Sequence, residues 1–350
     1  MGPKGFVKEG DMQASVFRGS GKVGLEPREA PRPGPLDLVI QVRACGLCGT
    51  DMHILEGEFP ATPGIVLGHE YAGVVTEVGT AVTGFQPGDH VAVDPNIACG
   101  TCPACQHGDG HLCDNLQALG VTRDGGFAEL SLVPAMQAYR LPEHLALELC
   151  ALAEPLSCCL HGLDQAGIRA GDRVLIIGAG PIGLLMVQLA RGSGAAVVGI
   201  TEPVEAKREL ACRLGADQTV DPCVGDVVDQ LLDLAPRGFD AVLECVGRPN
   251  TAAQALGLAR RGGTIVWFGV NPPGATVPVE PYLVYRNELT IRAAFVNPRT
   301  FGRAVTLLAQ GRIQAEPLLS HRFPLDGVAE GIAAMKGGRA IKALVLPNSR

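Results

Sequence analysis

The chain has 350 residues, 47% of them hydrophobic and 19% charged; at roughly 150 residues per domain this predicts two domains, each with apolar material for its own core. Twenty-nine basic against thirty-six acidic residues leave a net charge of −7, and without a dense Lys/Arg stretch the pattern argues against nucleic acid or anionic lipid as a partner and for a small molecule. No apolar run reaches the roughly 18 residues of a membrane span.

Residues 1–11 carry no apolar signal core and precede a natural start at Met12-Gln-Ala-Ser-Val-Phe. They are read as an extension without function, in a chain that works in the reducing cytoplasm. From there to about residue 155, short apolar runs such as 38–43 and 72–78 are punctuated by Gly and Pro, predicting a β-rich domain with long loops and no regular helices. Between Arg173 and Val270 the pattern changes to alternating strands and helices: strand 173–178, helix 183–193, strand 196–201, helix 204–214, strand 239–244, helix 251–261 and strand 264–268. Strands so uniformly apolar are covered on both faces, as in a doubly wound parallel sheet of the α/β class. Past residue 296 a helix over 303–310, a terminal helix and a strand over 340–346 are too short to fold alone. They are expected to return to the first domain, so that 1–158 and 297–350 form one domain, 159–296 an inserted second one, and the site a cleft between them.

Gly178-Ala-Gly180-Pro181-Ile182-Gly183 fits G-x-G-x-x-G in its proper setting, after an apolar strand and at the start of a helix. The first Gly makes the turn, the second lets backbone approach a pyrophosphate, the third permits close packing of helix on strand, and the helix N-terminus offers free N–H groups to phosphate. Glu202, nineteen residues beyond Gly183, is suited to accept the adenosine ribose hydroxyls and repel a 2′-phosphate, which favours NAD. Lys207 and Arg208, one helical turn later, keep NADP as the alternative; a solvated helix face is their duller reading.

The twelve cysteines divide by spacing. Cys99, Cys102, Cys105 and Cys113 lie within fifteen residues, a closed tetrahedral set for a structural zinc that orders a polar loop. A second set is dispersed: Cys48, His69 with Glu70, and Glu154 before Pro155. One thiolate, one imidazole and a carboxylate, with a position left open, is how a catalytic zinc is held, although each residue alone reads as well as core or helix-start chemistry.

The run Ala44-Cys-Gly-Leu-Cys-Gly-Thr-Asp-Met-His53, the Gly68-His-Glu70 turn, the four-cysteine loop, Ala153-Glu-Pro-Leu156 and the glycine turn, in that order, resemble the zinc-dependent medium-chain dehydrogenases. With two glutamates in place of a second thiolate, the resemblance is to the polyol (sorbitol-type), threonine and butanediol branch. It implies a Rossmann sheet inserted in a GroES-like catalytic domain, two zinc ions per subunit and a homodimer or homotetramer. It implies that Cys48, His69 and either Glu70 or Glu154 hold the catalytic zinc, that Asp51 accepts a hydrogen bond from His69, and that Thr50 and His53 relay the proton. It also implies that Gly269, Val270 and Phe295 line the nicotinamide side and that Lys342 lies near the cofactor pyrophosphate.

The reaction expected is oxidation of a secondary alcohol, a polyol or vicinal diol, to the ketone, with hydride passing to NAD. The alternative within the same fold is NADPH-dependent reduction of an enone or quinone, against which the intact ligand set argues. Val296 and Asn297 depart from the Arg-Tyr pair of the sorbitol enzymes. Phe59 and Leu119 are candidate pocket residues, and Cys159 a candidate for the cleft.

Overall fold

In the computed structural model, residues 10–59 and 61–348 are described; residues 1–9, most of the expected extension, lie outside them. The chain divides into two compact units, one running up to Pro155 and resuming at Phe301–Gln310 and from Leu318 onward, the other formed by Leu156–Thr300 with Gly311–Pro317.

The first unit opens with an antiparallel hairpin of β1 (Asp11–Gly19) and β2 (Lys22–Glu29). There follow β3 (Asp37–Gly46), α1 (Gly49–Glu56), β4 (Glu70–Val78) and β5 (His90–Val93). The short strands β6 (Asn96–Ile97) and β7 (Gln117–Ala118) pair across a loop that holds α2 (Pro103–His107). After β8 (Leu130–Pro134) and β9 (Ala138–Arg140) come α3 (Leu147–Cys150) and α4 (Ala153–Ala166).

The expected α/β pattern then begins: β10 (Arg173–Ile177), α5 (Pro181–Gly192), β11 (Val197–Thr201), α6 (Glu205–Arg213), β12 (Gln218–Val220), α7 (Val227–Leu234), β13 (Phe239–Glu244), α8 (Pro249–Leu258), β14 (Ala259–Trp267), α9 (Pro281–Asn287) and β15 (Thr290–Ala293). The chain ends with α10 (Phe301–Ala309), β16 (Leu319–Pro324), α11 (Val328–Lys336) and β17 (Lys342–Leu346).

Strands of the first unit form a seven-stranded sheet in the order β16-β17-β3-β4-β5-β9, with β8 also on β3. The C-terminal strand β17 therefore joins β3, antiparallel through Leu344 and Val345. Leu38, Ile40, Val42, Tyr71, Val75, Val91, Phe127 and Val345 pack into one core. Helices are the correction here: α1 stands where none was expected, whereas α4 begins at the helix start that Glu154 before Pro155 offered. Helix α1 buries only Asp51 and Ile54, so it has no apolar period to read. Its ends make it: the Asp51 carboxylate accepts the Cys48 N–H at 2.9 Å, closing the first turn as a capping box does, and Gly57, at φ 79°, closes the last.

In the second unit six parallel strands run β12-β11-β10-β13-β14-β15. Numbered from β10, that is the 3-2-1-4-5-6 order of the Rossmann sheet, whose ligand crevice opens at the carboxyl ends of β10 and β13, where the order reverses. Leu175, Ile177, Phe239, Val242 and Ile265 are its buried centre. The three-residue β12 carried no run to detect. Helix α8 stops at Leu258, short of 261, because Ala259 already pairs with Phe239. Asn297 donates to Ser157 Oγ at 2.8 Å, Thr300 to the Ser157 carbonyl at 2.7 Å, and Gln188 Oε1 accepts the Gln314 N–H at 2.7 Å. These bonds hold 297–300 and 311–317 to the second unit.

Candidate metal centres and dinucleotide turn

Strand β3 ends at Gly46, and its antiparallel partner β4 begins at Glu70 directly opposite. That register brings Cys48, just past β3, to His69 and Glu70, just at the start of β4. One donor atom from each of the three lies within 4.8 Å of the other two. The Cys48 thiol also donates to Thr50 Oγ1 at 3.7 Å. Asp51 is fully buried behind His69, with Oδ1 3.8 Å from Nδ1; this is an ion-pair separation, longer than the hydrogen bond expected. Glu154, on the first turn of α4, is buried and bears on His69 by charge, without joining the three-residue group.

Acidic side chains surround His69. Burial disfavours an imidazolium at His69, yet Cys48, Asp51 and Glu154 outweigh it and push its pKa well above the ordinary histidine value. Burial pushes the Asp51 carboxyl up, with His69 pulling against it. A site that favours a cation this strongly while burying its donors is chemically suited to a divalent metal.

Lys342 is engaged beside this group. Its side chain is buried, its ammonium pairs with Glu70 Oε2 and donates to the Leu47 carbonyl at 2.8 Å, and Glu70 is its principal charge partner. Two of the ammonium's three donors are thus taken up beside the metal group. Glu70 thus faces Lys342 and the Cys48–His69 donors together.

His53, on the last turn of α1, places Nδ1 2.5 Å from Glu58 Oε2. Sequence reasoning passed over Glu58; the signal was Gly57, which turns the chain back so that the next side chain meets the helix end.

In the cysteine loop one sulfur from each of Cys99, Cys102, Cys105 and Cys113 lies within 4.8 Å of the others. Backbone N–H groups of Thr101 and Cys102 point at Cys99 Sγ, and those of Cys99 and Asn115 at Cys113 Sγ, at 3.2–3.5 Å. The Thr101 amide and hydroxyl and the Cys102 amide lower Cys99 to about 6, whereas burial raises Cys105 to about 12. Amides aimed at sulfur hold thiolates ready for a tetrahedral ion. Among the described residues the cluster fits zinc on donor chemistry.

The glycine turn follows β10. Gly178 has φ 96°, a methyl at Gly183 would stand 1.8 Å from the Gly178 carbonyl oxygen, and one at Gly180 would meet nothing within 4 Å. Space is therefore left at the second glycine, where a ligand's phosphates would come, and packing claims the third. Pro181 begins α5, and the Ile182 carbonyl accepts the thiol of Cys159, which is buried. Glu202, just past β11, accepts the Ala179 N–H at 2.9 Å and the Val204 N–H at 3.1 Å. Arg208 is committed to the Glu202 and Pro203 carbonyls and to Asp221; Lys207 is half-buried. Gly269 donates its N–H to the Glu244 carbonyl at 2.8 Å, and any side chain there would strike Gly247. Val270 and Phe295 are exposed, whereas Asn297 is buried against Ser157 and Leu119 in the core.

Residues 34–143 match the family model described as the alcohol dehydrogenase GroES-like domain, and 181–310 that described as zinc-binding dehydrogenase. The L-threonine 3-dehydrogenase of Pyrococcus horikoshii is 35% identical, over 91% of this chain and 93% of its own. The D-altritol 5-dehydrogenase of Agrobacterium fabrum is 36% identical, over 90% and 93%. A crystal structure described as a zinc-binding dehydrogenase of Sinorhizobium meliloti 1021 bound to NADP superposes with a TM-score of 0.95 at 45% identity, over 97% of this chain and 100% of that one. Ligand group, cysteine loop, glycine turn and these likenesses agree: the chain belongs to the zinc-dependent medium-chain dehydrogenase family, an oxidoreductase acting on the CH–OH group of small-molecule alcohols with a nucleotide cofactor.

Proposed function

We propose that this dehydrogenase oxidises a secondary alcohol, a polyol or vicinal diol, to the ketone with NAD. The observation that carries the reading is the Cys48–His69–Glu70 group, with its donors within 4.8 Å of one another and acidic side chains around its histidine. Those three residues would hold a catalytic zinc with Glu154 beside it, and the four cysteines a structural one. When bound, zinc supplies the Lewis acidity that lets an alcohol hydroxyl ionise near neutral pH, and the nicotinamide supplies the hydride acceptor. Asp51 keeps the His69 ring oriented, Lys342 balances Glu70, and Thr50 and His53 carry the hydroxyl proton away from the site.

For the coenzyme, the glycine turn would take the pyrophosphate, with Gly269, Val270 and Phe295 toward the nicotinamide. Glu202 at the end of β11 supports NAD, since a carboxylate there repels a 2′-phosphate, and Arg208 is already engaged by Asp221. NADP in the Sinorhizobium relative makes Lys207 the residue to watch. A homodimer or homotetramer belongs to the same reading, supported by the family likeness; among the described residues, edge strand β15 pairs on one side alone.

The test is the initial rate of reduction of NAD and NADP over sugar alcohols, vicinal diols, threonine and simple monoalcohols, with wild type and Cys48→Ser. Chelator-sensitive turnover of polyols or diols, abolished by Cys48→Ser, is the expected result. Silence with every alcohol, alongside chelator-insensitive reduction of enones by NADPH, would replace this reading with the enone reductase.

A further inference from the structure

We propose that Glu58 is a positioning residue for proton release: it holds His53 in the tautomer whose Nε2 accepts the substrate proton. This rests on the reading of Thr50 and His53 as proton carriers. The geometry is built by the end of α1. Gly57 takes a left-handed conformation, and the N–H groups of Gly57, Glu58 and Phe59 all converge on the His53 carbonyl. That fold-back sets Glu58 Oε2 2.5 Å from His53 Nδ1.

A carboxylate at that distance accepts only, so Nδ1 carries a hydrogen, and in the neutral ring the lone pair is then on Nε2. Each alcohol oxidised sends one proton onto Nε2, giving an imidazolium held by the Glu58 carboxylate and by the negative end of the helix. The imidazolium then returns that proton to water, and no other bond changes.

The surroundings single out Glu58 for this role. Glu56 is the other carboxylate near His53, but Lys336 on α11 pairs with it at 2.5 Å. Phe59 covers one side of the imidazole, ring centres 6.1 Å apart. Glu58 itself is 38% exposed, so replacing it leaves no buried hole.

Two measurements test this on the zinc-loaded protein. Nitrogen NMR of the histidine rings, with the His53 signals identified by their absence in His53→Gln, should show Nδ1–H in the wild type and a shift toward Nε2–H in Glu58→Ala, which removes the acceptor; the same tautomer in both would overturn the proposal without any substrate. Turnover of NAD with 2,3-butanediol, sorbitol and L-threonine should fall about tenfold in kcat in Glu58→Ala, with KM for NAD within about twofold, recover as imidazole buffer is raised, and survive in Glu58→Asp. A loss that buffer does not relieve would overturn it. Wild-type rates in His53→Gln would instead remove the relay itself, whereas a slow His53→Gln beside a wild-type Glu58→Ala would remove Glu58 alone.

Discussion

Lys342 and Glu70 form an ion pair inside the first unit, exposed to 2% and 1%. The pair joins the first residue of β17 to the first residue of β4, with β3 hydrogen-bonded between them, and it is packed so closely that a methyl at Gly46 would stand 2.1 Å from Glu70 Oε2. Such a pair is not strong evidence of net stabilisation, but removing one partner leaves a buried charge without compensation.

Lys342→Met is therefore expected to destabilise the first unit by about 3–5 kcal/mol, and Lys342→Met with Glu70→Gln by clearly less than the two single losses summed. Denaturant unfolding of the four proteins checks this. Unchanged stability with a raised dissociation constant for NAD would place the role of Lys342 at the pyrophosphate instead.

At the glycine turn the two positions separate folding from binding. Gly183→Ala forces a methyl against the Gly178 carbonyl and should cost about 1–3 kcal/mol. Gly180→Ala meets open space at φ −71°, so its stability should stay within about 1 kcal/mol of wild type, while NAD affinity drops because the methyl stands where the pyrophosphate comes. Thermal unfolding and NAD titration of both variants decide it; equal NAD affinity in Gly180→Ala and wild type would mean that the turn does not face the cofactor.

What could be read from the residues was whatever repeats or clusters along the chain. The β10–α5–β11 run with its glycine turn, and four cysteines in one loop, are local patterns and keep their meaning in the fold. Helix α1 escaped because its structure is written in its caps, Asp51 and Gly57, with no apolar face. The Glu70–Lys342 pair escaped because it spans most of the chain and exists only through the β17–β3–β4 adjacency. Glu58 escaped for a third reason: its role depends on which way one glycine turns the backbone.

Cys113→Ser should empty the cysteine site. Cys113 Sγ accepts two backbone N–H groups, and a serine oxygen is a poor zinc ligand in a thiolate set. The expected outcome is loss of one zinc per chain by metal analysis, with faster proteolysis between β6 and β7, whose short pairing holds the loop ends. Full retention of zinc would show that the four thiols do not close a site.

Asp240, at the entry of β13, accepts the Arg173 N–H at 2.8 Å and pairs with Arg260. Burial pulls its pKa up, but the Arg173 amide and the Arg260 guanidinium outweigh that and hold it below the usual carboxylate range. A carboxyl depressed in the folded state contributes stability above its unfolded pKa of about 3.9 and loses it as pH falls through the lower folded value. Asp240→Asn is thus expected to cost about 1 kcal/mol at pH 7, a gap that narrows as pH drops below about 4. Trp267, the chain's only tryptophan, pairs with Glu244 on β13 and donates its indole N–H to the Ala252 carbonyl at 3.1 Å, so its fluorescence follows unfolding of this unit. Urea titrations of wild type and Asp240→Asn at pH 7 and at about pH 2.5 measure both ends, and a gap that does not narrow toward acid would mean that the ionised carboxylate does not stabilise the fold.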